Sequence, residues 1–242
     1  MEKERLDDLQ LDGLKILQNP QGYNFTSDSV LLANFVQTKH KDICVEVGTG
    51  CGIISILVNY KEKPKKIYAF EIQKDVAELA KKNIQLNNIQ NIEIIVDNFA
   101  NSLEYINAGQ IDVIFANPPY FKYDKNVSGL NEQKNISRFD KYLKPEDLFC
   151  SASKLLKFGG KLYFIYDANR LNEVFNKLKQ SNFEPKRMYF VHPNANKNST
   201  IFVCEAVKGA KEGLTIMPPL FTNNLDGDYI QTIQKLYKQK KG

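Results

Sequence analysis

At 242 residues with 43% apolar side chains, the chain is long enough for one large α/β domain with a substantial core. Its formal net charge of +5, from 33 basic and 28 acidic residues, gives only a weak hint of a polyanionic partner. Four cysteines without a C-x-x-C pair, and two isolated histidines (His40 and His192), argue against a metal centre, a disulfide framework and a His-based nucleophilic triad. Cys44, Cys51, Cys150 and Cys204 are therefore read as buried structural thiols. The opening "MEKERLDDLQ" is charged with mixed sign, unlike a signal peptide, and no apolar run nears the roughly 20 residues of a membrane span. A cytoplasmic protein is expected.

In chain order, residues 1–28 precede a first helical run, "DSVLLANFV". Strand-like runs follow at "ICVEVG" (43–48), "IYAFEI" (67–72), "IEIIV" (92–96), "IDVIFA" (111–116) and "KLYFIY" (161–166). Between them "CGIISILVNYK", "DVAELAKKNIQLNN" and "KPEDLFCSASKLLKFGG" read as helices, the last opening on Pro145 and closing at Gly159-Gly160. Such alternation predicts a mostly parallel sheet with helices on both faces. After a further helix, "NRLNEVFNKLKQSN", come "EPKRMYFVH" and "STIFVCEAVK" with nothing helical between them, so they are expected to pair antiparallel at a sheet edge. This seven-stranded order resembles the Rossmann-like class I methyltransferases.

No repeat or long linker divides residues 1–242, so a single domain is expected. Residues 121–144 lack periodicity and are read as a substrate loop, since loops of that length are commonly functional. That stretch carries six Lys/Arg against three Asp/Glu from Lys122 onward, and the basic helix or tail at 227–242 ends in "KLYKQKKG", with four Lys and no acid. Solvated surface lysines are the plainer account of each.

"EVGTGCG" follows the first strand and opens a helix, the setting a Gly-rich cofactor loop needs. Gly48, Gly50 and Gly52 allow a sharp turn and close ligand approach. Glu71 ends the next strand 19 positions after Gly52, where it can take both hydroxyls of a ribose. Glu46 lies within the first strand itself. Asp97, with Asn98, ends the third strand and is placed to accept an adenine amine, although the pair would also serve as a helix N-cap. To this point the pattern suits NAD or S-adenosylmethionine equally.

The strand "IDVIFA" stops at Asn117-Pro118-Pro119-Tyr120. One proline suffices to end a strand, and with the glycine-rich loop upstream a mere turn accounts poorly for the tetrapeptide. It resembles the signature of the N6-adenine and N5-glutamine methyltransferases. What the resemblance implies is methylation of a weakly nucleophilic, delocalised nitrogen. The Asn117 oxygen and the Pro118 carbonyl would accept its two N–H groups as positive charge develops. The prolines would stiffen that carbonyl's direction, and Tyr120 would stack on the base.

A finer likeness covers nearly the whole chain. "QNPQGYNFTSDSVLLANF" and "VHPNANKNSTIFVCEAVKGAKEGLTIMPPL" resemble the bacterial valine-tRNA adenine-N6 methyltransferases. That resemblance implies S-adenosyl-L-methionine as cofactor and the anticodon region of a tRNA as partner, with no metal or membrane and a monomer as the simplest assembly. Glu71 would hold the ribose and Asp97 the adenine amine. Thr49, Ile72, Asn98, Phe99 and Asn117 would complete the cofactor's surroundings with Glu46 and the glycines. Residues 1–28 would form an N-terminal extension over the cofactor site, with Thr26 and Asp28 covering the cofactor's amino-acid end, though a Ser/Thr-x-Asp before a helix is equally an ordinary N-cap. The nearest rival is a glutamine methyltransferase acting on a release factor. Those enzymes resemble one another in a helical N-terminal domain, for which 28 residues are too few. A DNA adenine methyltransferase and a non-catalytic RNA-binding module are the remaining alternatives.

Overall fold

The computed structural model describes residues 4–20, 25–119 and 143–223. The chain enters through a hairpin, β1 (Arg5–Asp8) and β2 (Lys15–Gln18), and then α1 (Ser27–Phe35). Next come β3 (Ile43–Val47), α2 (Ile53–Glu62), β4 (Lys66–Glu71), α3 (Lys74–Leu86) and β5 (Ile92–Val96). A short 3₁₀ helix, Phe99–Glu104, leads to β6 (Ile111–Ala116). Beyond residue 142 lie α4 (Pro145–Leu155), β7 (Leu156–Asp167), α5 (Leu171–Gln180), β8 (Phe183–His192) and β9 (Ile201–Lys208). Two short strands, β10 (Thr215–Ile216) and β11 (Leu220–Phe221), close the described chain.

The main sheet runs β10-β8-β9-β7-β6-β3-β4-β5, with β11 also on β8. Strands β3 to β7 are mutually parallel, and β9 is antiparallel to both β7 and β8. Buried on both faces, the parallel strands need apolar residues at successive positions. In β6, Ile114 and Ala116 enter the core layer shared with Leu148, Phe149 and Leu178 of α4 and α5. Val113 and Phe115 face the opposite layer, with Leu32 of α1 and Ile54 of α2. The strand order reverses between β3 and β6, and in such sheets the crevice at that switch, outside the carboxyl ends, is where ligands bind.

Three details depart from the sequence expectation. Seven strands are extended by β10 and β11, which pair with the outer edge of β8 and are too short to show a period. The helix expected to close at Gly159-Gly160 ends at Leu155, and Leu156 already pairs with Ile111. The glycines serve a bulge, because a Cβ on Gly160 would lie 2.9 Å from the Lys157 carbonyl and 3.2 Å from that of Asp112. Third, Cys150 is exposed, whereas Cys44, Cys51 and Cys204 are buried.

The hairpin was legible only as an N-terminal extension. Asn83 of α3 accepts from the Leu17 N–H at 2.6 Å and donates to its carbonyl at 3.0 Å. One turn on, Asn87 does the same for Lys15 at 2.9 and 2.7 Å. Residues two apart on a strand are separated by about 6.7 Å, and residues four apart on a helix by about 6 Å. The two amides thus substitute for a neighbouring strand. Asn83 also donates to the Cys51 carbonyl at 2.9 Å, which links the hairpin to the glycine loop. Residues 21–24, the rest of the segment expected over the cofactor, lie outside the described residues, as do most of the 121–144 loop and all of the 227–242 tail.

Candidate active site

The loop after β3 turns through positive φ at Gly48, Gly50 and Gly52. At Gly52, with φ +88°, any side chain would be strained by the backbone, although a Cβ there would meet Ala80 of α3 only in ordinary contact at 3.5 Å. Two bonds from β4 hold the loop. The Thr49 N–H donates to the Phe70 carbonyl at 2.9 Å, and the Gly50 N–H donates to Glu71 at 3.0 Å.

Glu46 lies wholly buried beneath this turn. Its Oε2 accepts from the Thr49 hydroxyl at 2.6 Å, from the Ser55 N–H at 3.1 Å and from the Ser55 hydroxyl. Its Oε1 has no partner among the described residues. Burial raises its pKa from 4.5 to about 7, against those three donors. Enclosed in this way, Glu46 shapes the loop from below.

Glu71 is 6% exposed and sits at the rim. One oxygen accepts from Gly50 and the other from the Gln73 N–H at 3.0 Å, and the carboxylate's lone pairs outnumber its backbone donors. Burial raises its pKa, opposed by the N–H groups of Gln73, Gly50 and Ile72. Ile72, next in the chain, exposes 40% of its apolar surface.

At the end of β5, Asp97 is held by three donors. Its Oδ1 accepts from the Asn98 N–H at 2.6 Å and the Asn101 amide at 3.0 Å, and its Oδ2 accepts from the Tyr105 hydroxyl at 2.9 Å. The Tyr105 bond, then those of Asn98 and Asn101, depress its pKa. One lone pair of Oδ2 is left over for an incoming N–H. Asn98 does act as an N-cap, accepting from the Ala100 N–H at 2.9 Å. Phe99 is buried, its ring edge-on to Phe70 at 5.5 Å.

Across the switch point, Asn117 directly follows β6. Its Nδ2 donates to the hydroxyl of Ser29 on α1 at 3.2 Å. Pro118 is buried and Pro119 half-buried, while Tyr120 lies outside the described residues. Thr26 stands at the N-cap position of α1 but its side chain makes no capping bond, so the ordinary-cap account of that threonine fails. The Ser27 hydroxyl bonds to Asp28 at 3.3 Å.

The fold therefore brings the glycine loop, Glu71, Ile72, Asp97 to Phe99 and Asn117 to Pro119 to the carboxyl edge of four adjacent parallel strands. Sequence reasoning missed Tyr105, Ser29 and Asn83. None carries a motif, and a hydroxyl inside the apolar run "SVLLANF" gives no signal beyond its being polar. A cavity of about 520 Å³ lined by Thr38, Asp112 and Gly160 belongs to the opposite, amino-terminal edge and not to this site. Among the described residues no His/Cys/Asp/Glu cluster could hold a metal, and no helix is long and apolar enough to cross a membrane.

Residues 24–187 match the model of the methyltransferase small domain. A Methanocaldococcus jannaschii protein named for protein N5-glutamine methylation is 38% identical over 113 residues, which cover 46% of this chain and 54% of that protein. A tRNA1(Val) (adenine(37)-N6)-methyltransferase of Pseudoalteromonas translucida is 26% identical over 169 residues, covering 69% of this chain and 70% of that one. The alignments thus span about half of the first relative and more of the second. Among solved structures, a predicted O-methyltransferase from Agrobacterium tumefaciens superposes with a TM-score of 0.70, at 18% identity, over 88% of this chain and 98% of that one. At that identity the likeness concerns the fold.

Proposed function

The chain belongs to the methyltransferase small-domain family, and from that premise we propose that it methylates the N6 amine of an adenine beside the anticodon of a valine tRNA, with S-adenosyl-L-methionine as donor. The observation that carries this reading is the placement of Asn117 across the switch point from the glycine loop and Glu71, with its amide oxygen unclaimed among the described residues.

The residues present fit that cofactor. A Cβ on Gly48 would project into open space, with nothing within 4 Å, so a ligand can lie directly on the backbone there. Glu71, oriented by two backbone N–H groups, offers acceptors to ribose hydroxyls. Ile72 offers an apolar face to a purine, and Asp97 the remaining lone pair for its amine. Once bound, the cofactor supplies an electrophilic methyl group on sulfonium. Asn117 Oδ1 and the Pro118 carbonyl accept the two N–H bonds of the target amine. Their pull localises the nitrogen lone pair, and their partial charges favour the cationic nitrogen formed as it is methylated. That nitrogen is acidic enough to release its proton to water.

The tRNA reading is supported by relatives of that name and by the basic stretches at 122–144 and 235–241 in the sequence. Lys122, Lys125, Lys134, Arg138, Lys235, Lys238, Lys240 and Lys241 all lie outside the described residues. A second reading, methylation of a release-factor glutamine, is favoured by the 38% identity of the archaeal relative and uses the same tetrapeptide. Labelled S-adenosylmethionine offered with total tRNA, DNA or a release factor separates the possibilities. Label in tRNA, recovered as N6-methyladenosine from a valine isoacceptor, is the expected result; label in the release factor alone would replace it by the second reading.

A further inference from the structure

We propose that Ser29 is a positioning residue for methyl transfer: it anchors the Asn117 amide with its oxygen toward the substrate nitrogen. This rests on the reading of Asn117 given above. A primary amide presents an acceptor at one end and a donor at the other, at nearly equal size and shape. Packing alone therefore distinguishes poorly between the two orientations. The task needs the acceptor outward, because a donor turned toward an amine would oppose its N–H bonds where an acceptor draws on them.

The structure supplies an anchor from 88 residues away in sequence, a hydroxyl able to bond either end of an amide that here takes the donor end. The Ser29 hydroxyl, 0% exposed in the first turn of α1, accepts from Asn117 Nδ2 at 3.2 Å. That contact is the amide's hydrogen bond among the described residues, and it anchors the donor end in the protein. The oxygen is thereby left for the open side. Ser29 is itself fixed by the helix, its N–H donating to the Thr26 carbonyl at 3.1 Å, and it leads directly into the buried run Val30 to Ala33. The placement also explains a polar side chain at a wholly buried position of α1. Its neighbours Val30, Leu31 and Leu32 are all apolar and buried, and a structural site there would be filled as well by alanine.

The test compares wild type with Ser29→Ala and Ser29→Thr. In Ser29→Ala, kcat for methyl transfer is expected to fall about 10- to 100-fold, the scale of a misplaced catalytic group. Cofactor Kd, tRNA KM and the melting temperature should stay close to wild type. Ser29→Thr, which keeps the hydroxyl, should recover most of the rate. The orientation is read directly from the side-chain NH₂ resonances of Asn117, assigned by their loss in Asn117→Ala. They should exchange slowly with solvent in wild type and faster in Ser29→Ala. A kcat within twofold of wild type, or a fall matched by equal weakening of cofactor binding, would overturn the proposal. So would unchanged NH₂ exchange. Wild-type protein that labels no tRNA would retire the substrate reading, and the amide resonances alone would then decide the role of Ser29.

Discussion

The two sides of the switch point are built on different plans. On the β3–β4 side, the glycine loop is fastened by Phe70, by Glu71 from the rim and by Glu46 from beneath, with Asn83 gripping Cys51 as well. On the β6 side, the described hydrogen bonding of Asn117 comes down to one contact with Ser29. The glycine loop is over-determined, so on the function proposed losing one bond there would change cofactor affinity by a share of the whole. On the function proposed, the β6 side would meet the substrate with an Asn117 held by one described anchor, and the loss of that residue would fall on the rate.

The largest effect expected from this contrast is at Asn117. Asn117→Ala should lower the transfer rate by about 10²–10³ while cofactor affinity moves only a few-fold. Single-turnover rates alongside calorimetry measure both, and near-normal turnover would erase the contrast. Next in size is a pH effect at Glu46. Burial holds its pKa at about 7 in place of 4.5, so between those values the folded protein keeps a proton that the unfolded chain has shed. Stability is then highest below the unfolded value and declines as pH rises from about 4.5 to about 7. A shift of that size corresponds to about 3 kcal/mol. Glu46→Gln retains an acceptor for Thr49 and Ser55 and should flatten this slope in urea titrations run across the same pH window. If both proteins lose stability in parallel, the loop is not held by a buried acid in the way described.

Glu71→Ala removes a charged acceptor from the rim and strands the Gly50 N–H, which should weaken S-adenosylmethionine binding about 10- to 100-fold, with less change in the rate at saturation. Unchanged affinity would move the cofactor elsewhere. The smallest effect belongs to Tyr105→Phe, which takes one donor from the half-buried Asp97. The carboxyl pKa, read by NMR, should rise back toward the ordinary range, because the Tyr105 bond is the leading cause of its depression. Cofactor affinity should fall roughly two- to tenfold. An unmoved Asp97 titration would show that Asn98 and Asn101 suffice.

Much of this was legible in the sequence, and the failures share a cause. The parallel strands announce themselves because burial on both faces demands unbroken runs such as "IDVIFA". The glycine loop is legible because turns through positive φ at Gly48, Gly50 and Gly52 admit few other residues. Gly159-Gly160 misled because the same permissive residue that stops a helix also fits a bulge whose neighbours leave no space for a Cβ. The hairpin β1–β2 was invisible for another reason. "RLDD" has no apolar alternation, and what holds β2 is a pair of asparagines about 70 positions away, on a helix read only for its amphipathic face. Ser29 was passed over similarly: its partner is close in space and remote in sequence.

Asn83 carries one further consequence. A single side chain grips the backbone of Leu17 and the carbonyl of Cys51, so undocking the hairpin and slackening the glycine loop are not independent events. Any ligand that requires an ordered loop must therefore raise the free energy of local opening at β2, even though it never touches that strand. Reciprocity runs the other way with equal force: a protein whose hairpin has detached holds such a ligand less tightly by the same factor. Amide exchange at Lys15 and Leu17, followed with and without S-adenosylmethionine, reads that coupling from the far end, and Asn83→Ala should abolish it while leaving the Asn87 grip in place.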